Sequence, residues 1–284
     1  MSQPSPLWTL DPDDPRAPSR EVWARLSPAE REWVVSELPS EFPPSESSPP
    51  EGDHHYKAYT TARETLSRWF RERGRSVYVS GNLPVYYPGE RMFSPDVIAV
   101  VDVDPRERNS WVVSDENDRG LDFALEVIVS GRRRKDLKDN VVRYAGLGIV
   151  EYFVFDHSKR SLHGYRLTGG RYERSLPQAG RYTSTVLGLE LSLESGQLRF
   201  SLGGAPVPDS EELLAKLGTL VNDAELRALE LEAALEEEQK RREEEQKRRE
   251  EEQKRREEEQ ALRERAEAEV ERLRAELEQL RKGR

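Results

Sequence analysis

Apolar positions along the chain fall into three successive patterns. Up to residue 50 they are sparse and interrupted by eleven prolines, including Pro43-Pro44 and Pro49-Pro50, so this segment reads mostly as loop. One short helix is predicted inside it. Ser27-Pro28-Ala29-Glu30 supplies an N-cap, a proline at the first helical position and a capping-box glutamate, and leads into Trp33, Val34, Val35 and Leu38. From Asp53 to Arg73 the spacing of Ala58, Thr61, Ala62, Leu66, Trp69 and Phe70 makes one helical face, and Gly74 stops it. Period-two and β-branched runs follow at Ser76–Val79, Leu83–Tyr87, Asp96–Val103 and Phe123–Val129, with a polar break from Asp104 to Gly120. A helix over Arg133–Leu147 buries Leu137, Val141, Tyr144 and Ala145, and Gly148 ends it. Strands resume at Tyr152–Phe155 and Leu162–Leu167 and continue to about Leu202, until Gly203-Gly204, Pro206 and Pro208 close the body. This order predicts an α/β or α+β fold.

The third pattern is a charged helix. Between Glu236 and Glu259 the heptapeptide Glu-Glu-Glu-Gln-Lys-Arg-Arg recurs, and every glutamate before Glu257 has Lys or Arg four residues later, the favourable order for helix ion pairs. No register gives the repeat the apolar a and d positions of a coiled coil, so a solvated single helix is expected there. Leu213, Leu214, Leu217, Leu220 and Val221 before it, and Val270, Leu273, Leu277 and Leu280 after it, allow a homodimer through the helix ends. The expected organisation is a proline-rich segment with one short helix (1–50), a body (51–204), a linker and helix start (205–222) and a charged helix or coiled coil (223–284).

Charge changes this picture only when it is divided. The 284 residues carry 45 Lys+Arg and 55 Asp+Glu, for a net charge of −10. Residues 223–284 hold 22 acidic and 17 basic groups, so half of the excess belongs to a helix that largely neutralises itself. The balance excludes a general nucleic-acid coat and leaves room for a weak DNA binder with a local basic patch. The absence of cysteine excludes disulfides, thiolate zinc and a cysteine nucleophile. No apolar run is long enough to cross a bilayer and residues 1–10 lack a signal-peptide layout, so a cytoplasmic protein without membrane contact is expected. No Walker loop, dinucleotide glycine motif, nucleophile elbow or His-Glu-x-x-His occurs.

Two acids interrupt apolar strand sequence: Asp96 in Ser94-Pro95-Asp96-Val97, and Glu126 in Leu125-Glu126-Val127-Ile128. Alternation puts Glu126 on the face of Asp122, Ala124 and Ile128, where an isolated carboxylate costs several kcal/mol unless compensated. A divalent cation is one compensator, since Mg²⁺ is commonly held by one or two carboxylates plus water and phosphate. The alternative makes Asp96 a strand-start cap and pairs Glu126 with an arginine of Arg132-Arg133-Arg134. The run from Arg132 to Lys135, with Lys138 and Arg143, is either a phosphate site at a helix start or simply a solvated helix start. His54 and His55 stand at the start of the first long helix, and His55 suits a capping or nucleic-acid contact; His157 and His163 read as surface strand residues.

Pro95-Asp96, Glu126-Val127-Ile128, a basic helix reaching Tyr144, and then Gly148-Ile149-Val150-Glu151-Tyr152 resemble, in that order, the PD-(D/E)XK nuclease superfamily. More narrowly they are similar to its Uma-type restriction-endonuclease branch, over about Asp53 to Leu167 and as far as Leu202. The resemblance implies a restriction-endonuclease-like fold: a mixed four-stranded sheet flanked by helices, here extended by the long charged helix. It also implies phosphodiester hydrolysis of DNA with Mg²⁺ or Mn²⁺ on Asp96 and Glu126, and a lysine that orients or deprotonates the attacking water. The chain departs from the pattern twice. Ile128 stands where the superfamily has lysine, and Asn140, four residues before Tyr144, stands where the branch has it. Lys135 and Lys138 are the candidate substitutes, with Arg133, Arg134, Asn140 and His55 as phosphate contacts. An inactive nuclease fold that acts as a binding or assembly module through its helix is the alternative.

Overall fold

A computed structural model describes residues 7–41, 52–130 and 133–282, with side chains up to residue 277. Pro43-Pro44, Pro49-Pro50, Arg132 and the side chain of Leu280 lie outside what is described. The chain divides into two compact units, Met1–Leu213 and Leu214–Arg284.

The first unit opens with two short helices rather than one. α1 (Arg20–Arg25) starts at the Ser19 hydroxyl, which accepts from the Val22 amide. α2 (Pro28–Glu37) carries the capping box in full, Ser27 and Glu30 exchanging hydrogen bonds. Trp23 and Val34 from these helices pack with Tyr86, Met92 and Val112. Those partners come partly from a two-stranded parallel sheet, β2 (Val85–Tyr86) beside β4 (Trp111–Val112). The polar stretch 104–120 therefore contains a strand, and its Trp111 is fully buried. Three apolar residues, Trp111-Val112-Val113, in a charged loop are too short a run for periodicity to detect.

α3 (Gly52–Glu72) precedes a six-stranded mixed sheet. The sheet comprises β1 (Val77–Ser80), β3 (Val97–Val101), β5 (Phe123–Ile128), β6 (Glu151–Asp156), β7 (Ser161–Thr168) and β8 (Arg171–Ser175), neighbours in that order. All neighbours run antiparallel except β5 and β6. A parallel pair cannot be joined by a hairpin, so the chain crosses over between them. That crossover holds a π-helical turn, Lys135–Asp139, continued by α4 (Asn140–Gly146). Gly148 follows at φ +81°, the left-handed conformation that lets the chain leave the helix.

Alternation on β5 sorts the two faces of the sheet. Phe123, Leu125 and Val127 pack toward Leu66 and Phe70 of α3 and toward a second, four-stranded antiparallel sheet. That sheet comprises β9 (Tyr182–Ser184), β10 (Leu189–Glu194), β11 (Gln197–Leu202) and β12 (Ala205–Pro206). Ala124 and Ile128 face Tyr144 of α4 and Tyr152. The sheet is thus larger than the four strands expected, because β7 and β8 extend it, while β9–β12 form a separate layer. The fold remains the restriction-endonuclease-like α+β type anticipated from the sequence.

The second unit belongs to α5 (Ser210–Lys282), unbroken through the charged repeat. Among the described residues no helix is long and apolar enough to cross a membrane.

Candidate functional site

The β3–β5 pairing brings the two interrupting acids together. Val97 lies opposite Leu125, so the same register sets Asp96, one residue before β3, opposite Glu126. Both side chains are buried. Asp96 Oδ2 accepts from the Val127 amide at 2.7 Å, and the Asp96 amide is 3.4 Å from Glu126 Oε2. His55 of α3 reaches the same point, its Nε2 lying 3.0 Å from Asp96 Oδ1. His55 is therefore a partner of the aspartate rather than a helix cap.

Glu126 is met from the other side by the crossover. Tyr144 donates its hydroxyl to Glu126 Oε1 at 2.8 Å, and Asn140 Nδ2 donates to the same oxygen at 3.3 Å. Asn140 also donates to Asp136 Oδ1 at 3.1 Å, which places a third buried carboxylate at the site. Tyr152, stacked edge-on with Tyr144, donates to the Asp136 carbonyl and fixes the π-turn from below. The wider turn closes when the Asn140 amide bonds to the carbonyl of Lys135, five residues back. Sequence reasoning missed Asp136; its spacing of four from Asn140 was the available signal.

Burial holds the Glu126 carboxyl well above its ordinary value of 4.5, and the charges of Asp96 and Asp136 push the same way. Lys135 and the Tyr144 hydrogen bond oppose this without overcoming it. Burial, with Glu126 alongside, also keeps the Tyr144 hydroxyl protonated and a donor. A carboxyl raised in this way contributes most to stability below 4.5 and loses that contribution as pH rises through its folded value. Glu126→Gln removes the titrating group. In metal-free buffer its stability relative to the parent is expected to grow as pH rises from 4.5 to neutrality. Denaturant titrations across that range check this, and a difference that stays constant with pH contradicts it.

The cations are distributed differently. Lys135 and Lys138 are exposed, and of the two it is Lys135 whose charge registers at Glu126. Arg133 forms a two-pronged pair with Asp156, at 2.8 and 3.0 Å, and also bonds to Ser158. Arg134 is exposed, 3.9 Å from Asp139. Neither of these arginines is the partner of Glu126, which leaves its hydrogen bonds to Asn140, Tyr144 and the Asp96 amide. His54 stacks on His157 at 4.6 Å, so His157 has a ring partner rather than a free surface position. His163 lies between Ser161 and Arg174, 3.2 Å from each.

Among the described residues no three acidic or histidine side chains are arranged to hold a metal ion. The donor set that does converge is a pair of carboxylates, Asp96 and Glu126. This fits a hard divalent cation of the Mg²⁺ kind, which takes one or two carboxylates and completes its shell with water and phosphate. It fits also because Glu126 is buried among further acids, an arrangement that a cation stabilises.

The profile of a family described as "Uma2: Putative restriction endonuclease" matches residues 45–203. Among solved structures, a putative nuclease belonging to DUF820 from Anabaena variabilis ATCC 29413 is similar at 14% identity and a TM-score of 0.34. That similarity covers 43% of this chain and 67% of the other. No curated protein matches the chain.

Proposed function

Because the chain belongs to the Uma2 family of putative restriction endonucleases, we propose that it hydrolyses DNA phosphodiester bonds at the Asp96–Glu126 pair. The observation that carries this reading is the cross-strand placement of the two buried carboxylates, with hydrogen-bond donors fixing both. Asp96 and Glu126 would hold Mg²⁺ or Mn²⁺, which would supply Lewis-acid chemistry toward a phosphodiester. The Val127 amide and His55 orient Asp96, while Tyr144 and Asn140 orient Glu126. Lys135 is the cation that acts on the site's charge, and with Lys138 it takes the part of the missing lysine in orienting water and balancing negative charge. Arg134 contacts a neighbouring phosphate of the backbone, whereas Arg133 is engaged by Asp156.

Incubation of the full chain with supercoiled plasmid and Mg²⁺ or Mn²⁺ tests this. Nicking is expected, abolished by chelation, and reduced at least ~1000-fold in Asp96→Asn and in Glu126→Gln, both with circular dichroism like the parent. Absence of nicking at every metal and protein concentration overturns it. The direct contact of Asn140 with Glu126 favours a second reading, in which the site binds metal and DNA without cutting. Calorimetric titration with Mn²⁺ separates the two: binding that Glu126→Gln removes, without nicking by the parent, identifies an inactive site.

A further inference from the structure

The stripe of residues that α5 would present to a partner keeps one seven-residue phase along its whole length. Leu217, Ala224 and Leu231 at d continue into Glu238, Glu245, Glu252 and Glu259, and then into Ala266 and Leu273 without a skipped residue. The a positions run in step from Val221, Ala228 and Leu235 through Arg242, Arg249, Arg256 and Arg263 to Val270 and Leu277. The apolar ends therefore share one seam with the charged middle. On a straight helix such a stripe drifts by ~20° per heptad, so a strict phase over eight heptads stays on one face only in a left-handed supercoil with another helix. Leu226 and Leu229 lie off the seam.

The charged middle selects the partner. Its seam residues are the glutamates and arginines joined along the helix in the pairs Glu238–Arg242, Glu245–Arg249, Glu252–Arg256 and Glu259–Arg263, at 2.6 to 3.0 Å. A parallel second copy in register would set each glutamate against the same glutamate and each arginine against the same arginine. An antiparallel copy sets a against d, and one alignment satisfies every layer. It places Glu238 opposite Arg263, Arg242 opposite Glu259, Glu245 opposite Arg256 and Arg249 opposite Glu252. The same alignment places Leu235 opposite Ala266, Leu231 opposite Val270, Ala228 opposite Leu273 and Ala224 opposite Leu277. Each alanine of these layers meets a leucine, which is how facing core positions fill space. Sliding one copy by a heptad breaks the match, setting Leu235 against Glu259 in one direction and Val270 against Glu238 in the other. The arginines that flank the seam at 241, 248 and 255 each have a glutamate four residues earlier on their own helix, which limits repulsion across the pair.

We propose that α5 is the dimerisation element of this protein, pairing antiparallel with α5 of a second copy in that alignment. The charged layers set orientation and register, and the apolar layers on either side supply the attraction. This pairing is independent of whether the body cuts DNA.

The chain has no cysteine, so introduced cysteines report without background. Full-length Leu231→Cys and Val270→Cys are purified, incubated alone or mixed long enough to exchange, and mildly oxidised. A disulfide-linked dimer is expected from the mixture and from neither variant alone. Crosslinking of each variant with itself indicates a parallel pair and overturns the proposal, as does crosslinking in none of the three samples. Sedimentation equilibrium of the parent at micromolar concentration is expected to give twice the 32.7 kDa chain mass, and a monomer mass overturns the proposal. Arg249→Glu with Arg256→Glu, which sets glutamates against Glu252 and Glu245 of the second copy, is expected to raise the dimer dissociation constant at least ~10-fold. An unchanged constant contradicts the alignment.

Discussion

Glu151→Ala is expected to lower the melting temperature of the protein by roughly 10 °C, from a loss of ~3 kcal/mol at 2–4 °C per kcal/mol for a body of this size. Glu151 is almost fully buried at the start of β6, where it points away from the candidate site and toward the second sheet. Its Oε1 accepts from Arg166 Nη2 at 3.2 Å, from the Thr185 amide at 2.9 Å and from the Thr185 hydroxyl at 2.8 Å. Its other oxygen accepts from Ser184. One carboxylate thus ties β6 and β7 of the large sheet to the end of β9, and its removal leaves a guanidinium, two hydroxyls and an amide without their acceptor. The cost is set at the lower end of the range for broken buried pairs because Arg166 is partly exposed and keeps its bond to the Thr183 carbonyl. Thermal unfolding followed by circular dichroism checks the figure. A fall of less than about 2 °C would mean that the two sheets are held by apolar packing alone.

The second large effect concerns rate. Asn140→Lys is expected to raise metal-dependent plasmid nicking at least ~100-fold over the parent, within the usual contribution of a positioned acid–base group. Asn140 is buried, and its amide nitrogen already donates both to Glu126 and to Asp136. A lysine at this position brings an ammonium group to two carboxylates, and the neighbouring acids hold it charged. It thereby supplies from inside what exposed Lys135 supplies only at a distance. The same change introduced into Glu126→Gln should give no gain. If Asn140→Lys folds, keeps its Mn²⁺ affinity and cuts no faster than the parent, the absence of a buried cation is not what limits the site.

Much of this site is legible in the sequence because strands convert order into geometry directly. Period two assigns Glu126 to the face of Ala124 and Ile128, and counting four back from Tyr144 finds Asn140, which does meet Glu126. The apolar stripe of α3 likewise gives the helix to within one residue at each end. What the pattern hides is backbone that departs from regular periods. The π-turn over Lys135–Asp139 changes the angle per residue, so the directions of Lys135, Lys138 and Asn140 do not follow from the 3.6-residue period of a regular helix. Asp136 was hidden by its neighbours, lying in a run of charges that reads as solvent-facing while its side chain is buried. Glu151 was visible as part of a motif, yet its function as a brace requires β9, a three-residue strand with no strong signal of its own. The seam of α5 was obscured by chemistry instead of geometry: a search for apolar a and d positions stops where arginine and glutamate take them over.

β8, at the border of the large sheet, bears on how copies of this chain can meet. Its sequence Arg-Tyr-Glu-Arg-Ser exposes Arg171, Glu173 and Arg174 on a strand whose outer side has no neighbour in the sheet order among the described residues. Charges on such a border make the addition of a further strand costly, because they would have to leave water. Strand-by-strand addition is the route to open-ended growth, and this border resists it. An antiparallel helix pair is closed by its own two-fold symmetry after the second copy. This border and the proposed α5 pair together favour an assembly that stops at a fixed number of chains.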